Sequence, residues 1–351
     1  MIALPPVPGI DAAIDDAVAG IVARASRLGP SFGALGEAVA RAAHGGKRFR
    51  PALVAASFRA FGGEDDAAAG MYPVAAAFEL LHTAFVVHDD VIDHDTERRG
   101  VPNVAGEFRG RARSRGADAA GAALLGDAAG ILAGDLLLHE ALRLVAFADV
   151  DPVARERLFA LVDDAVFVSA AGELADVENS VASPGSTPQD AFDTAFNKTA
   201  VYSFRAPLQA GAVLAGAPDS AMEVLATAGG RLGLAFQLVD DLIGAFGTAA
   251  QAGRETGGDL RESKRTPLVA LASQTPSWNR VSDALAVAHT GPIAVREAQV
   301  ALEQSGAPVR LRAVIEQTLD EVREASREPS LTPEAARLLC RLADGMAERI
   351  P

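Results

Sequence analysis

Residues 78–93 read Phe-Glu-Leu-Leu-His-Thr-Ala-Phe-Val-Val-His-Asp-Asp-Val-Ile-Asp, a mostly apolar helical composition that runs straight into three aspartates. Carboxylates this close repel one another, and on an exposed helix they are normally diluted by Lys or Arg. Here apolar residues flank them, so the segment reads as a buried helix whose end needs a cation. At 3.6 residues per turn, Asp89 and Asp93 share a face and Asp90 is displaced by about 100°. Hard oxygen ligands without a neighbouring cysteine favour Mg2+, which keeps several waters and usually completes its shell with substrate phosphate. A second apolar run, Leu234-Ala235-Phe236-Gln237-Leu238-Val239, ends in Asp240-Asp241 and repeats the logic.

The chain around these helices has the same character. Hydrophobic residues make up 49% and aromatics only 5%, with alanine abundant, which suits close-packed helices better than sheets. Period-two runs of Val, Ile and Thr are not evident and no Gly-x-Gly-x-x-Gly follows a strand-like segment, so the expected fold class is all-α. At 351 residues the length admits two domains, but no composition break, long linker or charge block divides the chain, and a single domain over residues 1–351 is expected. Helices are expected over residues 11–27, 32–43, from 51 onward, and over 67–92, 117–145, 152–177, 190–215, 221–246 and 266–272. The arginine-rich stretch 97–116, the Ser/Pro/Gly stretch 179–189 and residues 247–265 read as loops, the third directly after the second cluster.

The formal net charge of -14 argues against general nucleic-acid binding, which needs a basic surface. The one cysteine, Cys340, excludes an intrachain disulfide and a cysteine-based zinc site, and fits a reducing cytoplasm. No unbroken run of 18 apolar residues occurs, so no transmembrane segment is expected.

A basic turn, Gly45-Gly46-Lys47-Arg48-Phe49-Arg50-Pro51, lacks the spacing of a nucleotide-binding P-loop and has no strand before it. Its glycines still let backbone approach an anion, Lys47 supplies a point charge, and Arg50 a planar fork that suits a diphosphate.

Taken in order, Gly45 to Pro51, Asp89-Asp90-x-x-Asp93, Arg98-Arg99-Gly100, Lys198-Thr199, Phe236-Gln237-x-x-Asp240-Asp241 and Lys264 resemble the motifs of the trans-isoprenyl diphosphate synthases, and the match spans most of the chain. The resemblance implies an all-α isoprenoid synthase fold with a cavity between two aspartate-bearing helices, usually a homodimer. It implies head-to-tail condensation of isopentenyl diphosphate with an allylic diphosphate, with three Mg2+ ions once substrate is bound. Asp89, Asp93 and Asp240 would be the metal ligands, supported by Asp90 and Asp241, while Arg98, Lys198 and Lys264 would grip the allylic diphosphate. Lys47, Arg50, His82 and Arg99, with the backbone at Gly46, would hold isopentenyl diphosphate without metal. Thr199 and Gln237 would stabilise the cation or position the leaving group, and Arg254 would act as a further clamp. The arginine-rich segment after Gly100 and the 254–264 segment are expected to order over bound substrates.

Two departures stand out. The family's second motif commonly carries a third aspartate where this chain has Gly244, and Arg254 stands where many relatives have lysine. The resemblance also implies that bulky residues about one turn before the first aspartate act as a floor for the growing chain. Ala84 leaves room, Phe85 points aside or narrows the channel, and Leu81 is the next stop, which points to a twenty-carbon geranylgeranyl product, with farnesyl and geranylfarnesyl as alternatives. A terpene cyclase would have no use for the second diphosphate pocket. A non-catalytic partner subunit would tend to lose the first cluster, which is intact here.

Overall fold

The computed structural model describes residues 4–64, 68–98, 100–181, 187–248, 251, 256–262 and 264–351. These form two compact units, one of Leu4–Ala160 with Ala210–Gly216, the other of Leu161–Gln209 with Ala217–Pro351.

In the first unit, α1 (Pro8–Ser26) and α2 (Pro30–Ala43) each open on a proline, whose missing N–H is harmless in a first helical turn. After α3 (Phe49–Ala60), the core helix α4 (Ala68–Ile92) buries Val74, Phe78, Leu80, Leu81 and Ala84 completely. Each large side chain among them contributes about 1.5–3 kcal/mol relative to exposure. Its main partner is α6 (Ala119–Ala146), and two α6 glycines set how near the helices come. A Cβ on Gly130 would lie 2.3 Å from Val91, and one on Gly134 would lie 2.2 Å from His88. Both neighbours border the acidic end of α4, so these glycines fix its seat.

Residues 97–116 are not the loop expected from their arginine content. A short antiparallel hairpin pairs β1 (Glu97–Arg98) with β2 (Val101–Pro102), and α5 (Val104–Ser114) follows. Asn103 caps α5 by accepting from the Gly106 N–H at 2.8 Å. A Cβ on Gly106 would fall 1.9 Å from the Thr96 carbonyl oxygen, so only glycine admits this approach. Arg109 donates to Asp127 of α6 at 2.8 Å. Of the segment's arginines, Arg109, Arg111 and Arg113 therefore lie on a helix, and Arg98 lies on β1.

Among the described residues, α4 and α6 are long and apolar enough to cross a membrane by length and composition, a test that the core helix of a soluble protein also passes. The apolar window of α4 is 72% buried, which makes it a core helix, whereas that of α6 is 39% buried.

The expected single helix over 190–215, which belongs to the second unit up to Gln209 and to the first from Ala210, is three pieces. α8 (Pro188–Ala195) starts in a capping box between Thr187 and Asp190, a π-helical segment spans Phe196–Arg205, and α9 (Ala206–Leu214) continues. Glycines of two neighbours press backbone against the π segment. A Cβ on Gly172 of α7 (Pro152–Val181) would meet Lys198 N at 2.3 Å. One on Gly233 of α10 (Asp219–Phe246) would meet the Ala200 Cα at 2.4 Å. A widened π turn often marks a functional position, and this one carries Lys198 and Thr199. The unit continues through α11 (Gly258–Arg261), α12 (Pro267–Ser273), α13 (Trp278–Val287), α14 (Pro292–Ser305), α15 (Ala307–Ala325) and α16 (Pro333–Ala347), with α15 and α16 packed on α10.

Candidate active site

At the acidic end of α4 the Asp93 N–H still donates to the Asp89 carbonyl at 2.8 Å, so helical spacing holds through the cluster. His94, at φ 60°, then ends the helix. The aspartates divide their labour by exposure. The Asp90 side chain is 5% exposed and that of Asp89 29%, while Asp93 is exposed. Arg98 donates to Asp90 Oδ1 through Nε at 3.0 Å and Nη2 at 2.6 Å, and lies 3.8 Å from Asp89. Burial pushes the Asp90 carboxyl above its usual range, and Arg98 partly offsets this. Asp90 thus anchors Arg98 and its hairpin, leaving Asp89 and Asp93 as the two more open carboxylates.

The basic turn is also divided. Gly45 and Gly46 take φ of 80° and 89°, and Arg48 is left-handed at 49°. The Arg48 guanidinium donates to Asp11, the Ala43 carbonyl and the buried Glu79, each at 3.1 Å. This arginine therefore holds the turn's shape, at the cost of backbone strain of the kind concentrated at functional sites. Lys47 is exposed, and Arg50 and His82 are half-buried. Arg99 and Arg254 lie outside the described residues.

The second cluster is wired to the π segment. Thr199 donates to Gln237 Oε1 at 2.9 Å, and Gln237 Nε2 donates to Asp241 Oδ1 at 2.9 Å. Asp241 is buried and its carboxyl is pushed up to about 8, chiefly by desolvation, with Gln237 lowering it and the carboxylates of Asp259, Asp240 and Asp176 raising it. Lys198 bonds Glu173 at 3.2 Å and Asp176 at 2.8 Å. Lys264 lies 3.2 Å from Glu262. Arg349, beyond the last helix, donates to Asp240 Oδ1 at 2.5 Å, with its guanidinium 4.7 Å from the Phe236 ring centre. Glu173, Asp176, Asp259 and Arg349 were missed in the sequence. Only the acidic pair spaced i, i+3 on α7 offered a local signal.

The donor set fits a hard divalent cation. It consists of carboxylates, a guanidinium already stands against Asp240 as a cation would, and Asp241 Oδ2 is buried without a hydrogen-bond partner. Among the described residues no three acidic, His or Cys side chains converge enough to hold a metal unaided. That leaves much of the shell to water and phosphate, the usual habit of Mg2+.

The polyprenyl synthetase family profile matches residues 34–301 of this chain. The chain belongs to the polyprenyl synthetase family. It is 33% identical over 227 residues to a geranylgeranyl diphosphate synthase of Sulfolobus acidocaldarius, covering 64% of this chain and 62% of that protein. Against a short chain isoprenyl diphosphate synthase of Methanothermobacter thermautotrophicus it is 31% identical over 310 residues, 87% of each. The structure of a geranylgeranyl pyrophosphate synthase from Corynebacterium glutamicum, complexed with isoprenyl diphosphate and magnesium, superposes with a TM-score of 0.86 at 26% identity over 97% of both chains. The all-α expectation thus stands, and so does the family read from the motifs.

Phe85 precedes Asp89 by four positions, shares its helix face and is half-buried. Ala84 and Leu81 are fully buried on the adjoining face. Phe85, expected to point aside or narrow the channel, is the residue on the Asp89 side.

Proposed function

We propose that this polyprenyl synthetase is a Mg2+-dependent prenyltransferase that joins isopentenyl diphosphate head-to-tail to an allylic diphosphate, dimethylallyl, geranyl or farnesyl, releasing diphosphate. One observation carries the reading. In both acidic clusters the first aspartate is partly open, Asp89 at 29% and Asp240 at 38%, while the next, Asp90 or Asp241, is buried and hydrogen-bonded in place. Two half-open carboxylates, each backed by an anchored one, suit ligands of metal ions shared with a diphosphate.

In this reading Asp89, Asp93 and Asp240 hold three ions with Asp90 and Asp241 in support. Bound magnesium would neutralise charge building on the diphosphate as its bond to the allylic carbon breaks. Arg98, Lys198 and Lys264 grip that diphosphate, with Arg254 as a clamp. Lys47, Arg50, His82 and Arg99 hold isopentenyl diphosphate, whose double bond attacks the allylic cation before a proton leaves. Thr199 and Gln237 stabilise the cation or position the leaving group, and apolar walls exclude the water that would quench the cation. Residues 1–351 are proposed to make a single catalytic domain, and the single cysteine suits a cytoplasmic setting. Incubating the pure chain with Mg2+, isopentenyl diphosphate and each primer, then sizing the products, tests the proposal. Failure to elongate any primer would overturn it.

The product is proposed to be geranylgeranyl diphosphate. Phe85 forms the floor beside Asp89, so Phe85→Ala should shift products towards longer chains, while Phe85→Leu should shift them less. An unchanged product distribution in both variants would remove Phe85 from that role. The fully buried Ala84 is a poorer site for a test, because Ala84→Phe would overpack the core by about 1–3 kcal/mol.

The chain is further proposed to act as a homodimer through the outer face of α6, where Leu124, Leu125, Ile131 and Leu132 are exposed. Leu132→Glu should convert a dimer to a monomer in light scattering with helical content retained. A wild-type monomer at micromolar concentration would contradict this.

A further inference from the structure

α1 (Pro8–Ser26) and α2 (Pro30–Ala43) pack tightly near the turn that joins them and part further along. A Cβ on Gly33 would lie 3.4 Å from the Ser26 Cα, and one on Gly36 would lie 2.8 Å from the Ala25 Cβ, so glycine draws the two helices together there. Towards the other end a groove of about 410 Å³ opens over Ile14, Val18, Val22, Ala40 and Ala43. Its volume falls in the range of binding pockets, about 300–1,000 Å³, and its floor is aliphatic.

The groove is held in shape rather than left to close. Arg48 donates through Nε to Asp11 of α1 and through Nη1 to the Ala43 carbonyl at the end of α2, each at 3.1 Å. One guanidinium thus ties both walls at the open end. From Ile14 to Ala23, the α1 residues along the groove rise about 14 Å, enough for three apolar anchors spaced i, i+4, i+7 over about 10 Å of a docked helix.

The rim carries opposite charges at its two ends. Asp15 lines the groove and Asp16 follows it, both exposed. Arg27, the exposed residue that ends α1, lies one turn beyond Ala23. Arg41 is bound to Glu107 at 2.7 Å and Arg48 to Asp11, so neither cancels the acidic end. Helices favour acid in their first turn and base in their last. One laid antiparallel to α1 would set its basic end over Asp15 and Asp16 and its acidic end beside Arg27. The occupant must also bring its own anchors, because among the described residues neither α1 nor α2 exposes a large apolar side chain that could fill the groove of a second copy.

We propose that the groove between α1 and α2 is the docking site for an amphipathic helix of another protein, with leucine or isoleucine on its apolar face, running antiparallel to α1. None of the groove residues is assigned to the proposed reaction, so this interface stands or falls independently of the prenyltransferase reading.

The test uses the full-length chain and two fluorescein-labelled, end-capped peptides with leucine at i, i+4 and i+7 on an alanine frame, titrated by fluorescence anisotropy. One peptide has glutamate in its first turn and lysine in its last; the other has these charges exchanged. The first should bind more tightly, and Ala19→Arg, which projects a long cation from an exposed position on the groove, should weaken it by about tenfold or more. The charge-exchanged peptide is also less helical, so orientation is read from the chain carrying both Asp15→Lys and Arg27→Glu. There the ratio of the two affinities should fall by about tenfold, the scale of two exposed ion pairs turned repulsive. No saturable binding of either peptide at about 1 mM chain, binding indifferent to Ala19→Arg, or an unchanged ratio in the charge-exchanged chain, each with the fold retained by circular dichroism, overturns the proposal. A lower mass for Ala19→Arg than for wild type in light scattering would give the groove to a second copy and overturn it equally.

Discussion

Asp89→Ala should lower turnover by about 10²-fold or more at saturating substrates, the scale seen when one major stabiliser of transition-state charge is removed. The three aspartates of the first cluster are not equivalent, which is why the effect concentrates there. Asp90 is committed to Arg98 through bonds of 3.0 and 2.6 Å and is nearly buried, so it is a poor substitute ligand. Asp93 lies beyond the last residue of α4, exposed, with the left-handed His94 directly after it. Asp89 alone combines a position inside the helix with a half-open carboxylate. Its removal also takes the nearest second carboxylate from Arg98, but leaves the Asp90 anchor intact, so the fold should survive. Steady-state rates measured across a Mg2+ titration, with circular dichroism as a folding control, check this. A variant within about threefold of wild type at every Mg2+ concentration would show that the cluster does not carry the ionisation step.

What could be read from the sequence follows from the range over which each signal acts. Hydrophobic period and helix-start chemistry are local, and they located α4 and α10 to within two residues at either end, with both acidic clusters at the C-terminal ends. α5 escaped because six arginines between 98 and 115 outweighed one capping asparagine and one glycine that fits under a carbonyl. The π segment escaped for a longer-range reason. Its widened turn is matched to Gly172 and Gly233, on two other helices, and nothing within 196–205 records their approach. Arg48 carried no role in the reading of the basic turn, because its partners Asp11 and Glu79 lie 37 and 31 residues away. Arg349 reaches Asp240 across 109 residues.

Lys47→Ala should raise the KM for isopentenyl diphosphate by about 10- to 100-fold, the equivalent of one hydrogen bond to a charged group at about 1.5–3 kcal/mol, with a much smaller effect on the allylic substrate. The geometry separates Lys47 from its neighbour in the motif. Arg48 is held by Asp11, Glu79 and the Ala43 carbonyl, and its left-handed backbone turns the chain between Lys47 and α3 (Phe49–Ala60). Lys47 is exposed just after two positive-φ glycines whose backbone an anion can approach closely. Removing its ammonium should therefore delete a binding contact without disturbing the turn, so kcat should change little while KM rises. Arg48→Ala makes the informative contrast, because it strands the buried Glu79 and should act through stability, lowering the melting temperature and affecting both substrates together. If Lys47→Ala raised both KM values equally, the two diphosphates would not have separate sites, and the division of labour between the basic turn and the acidic clusters would fall with that result.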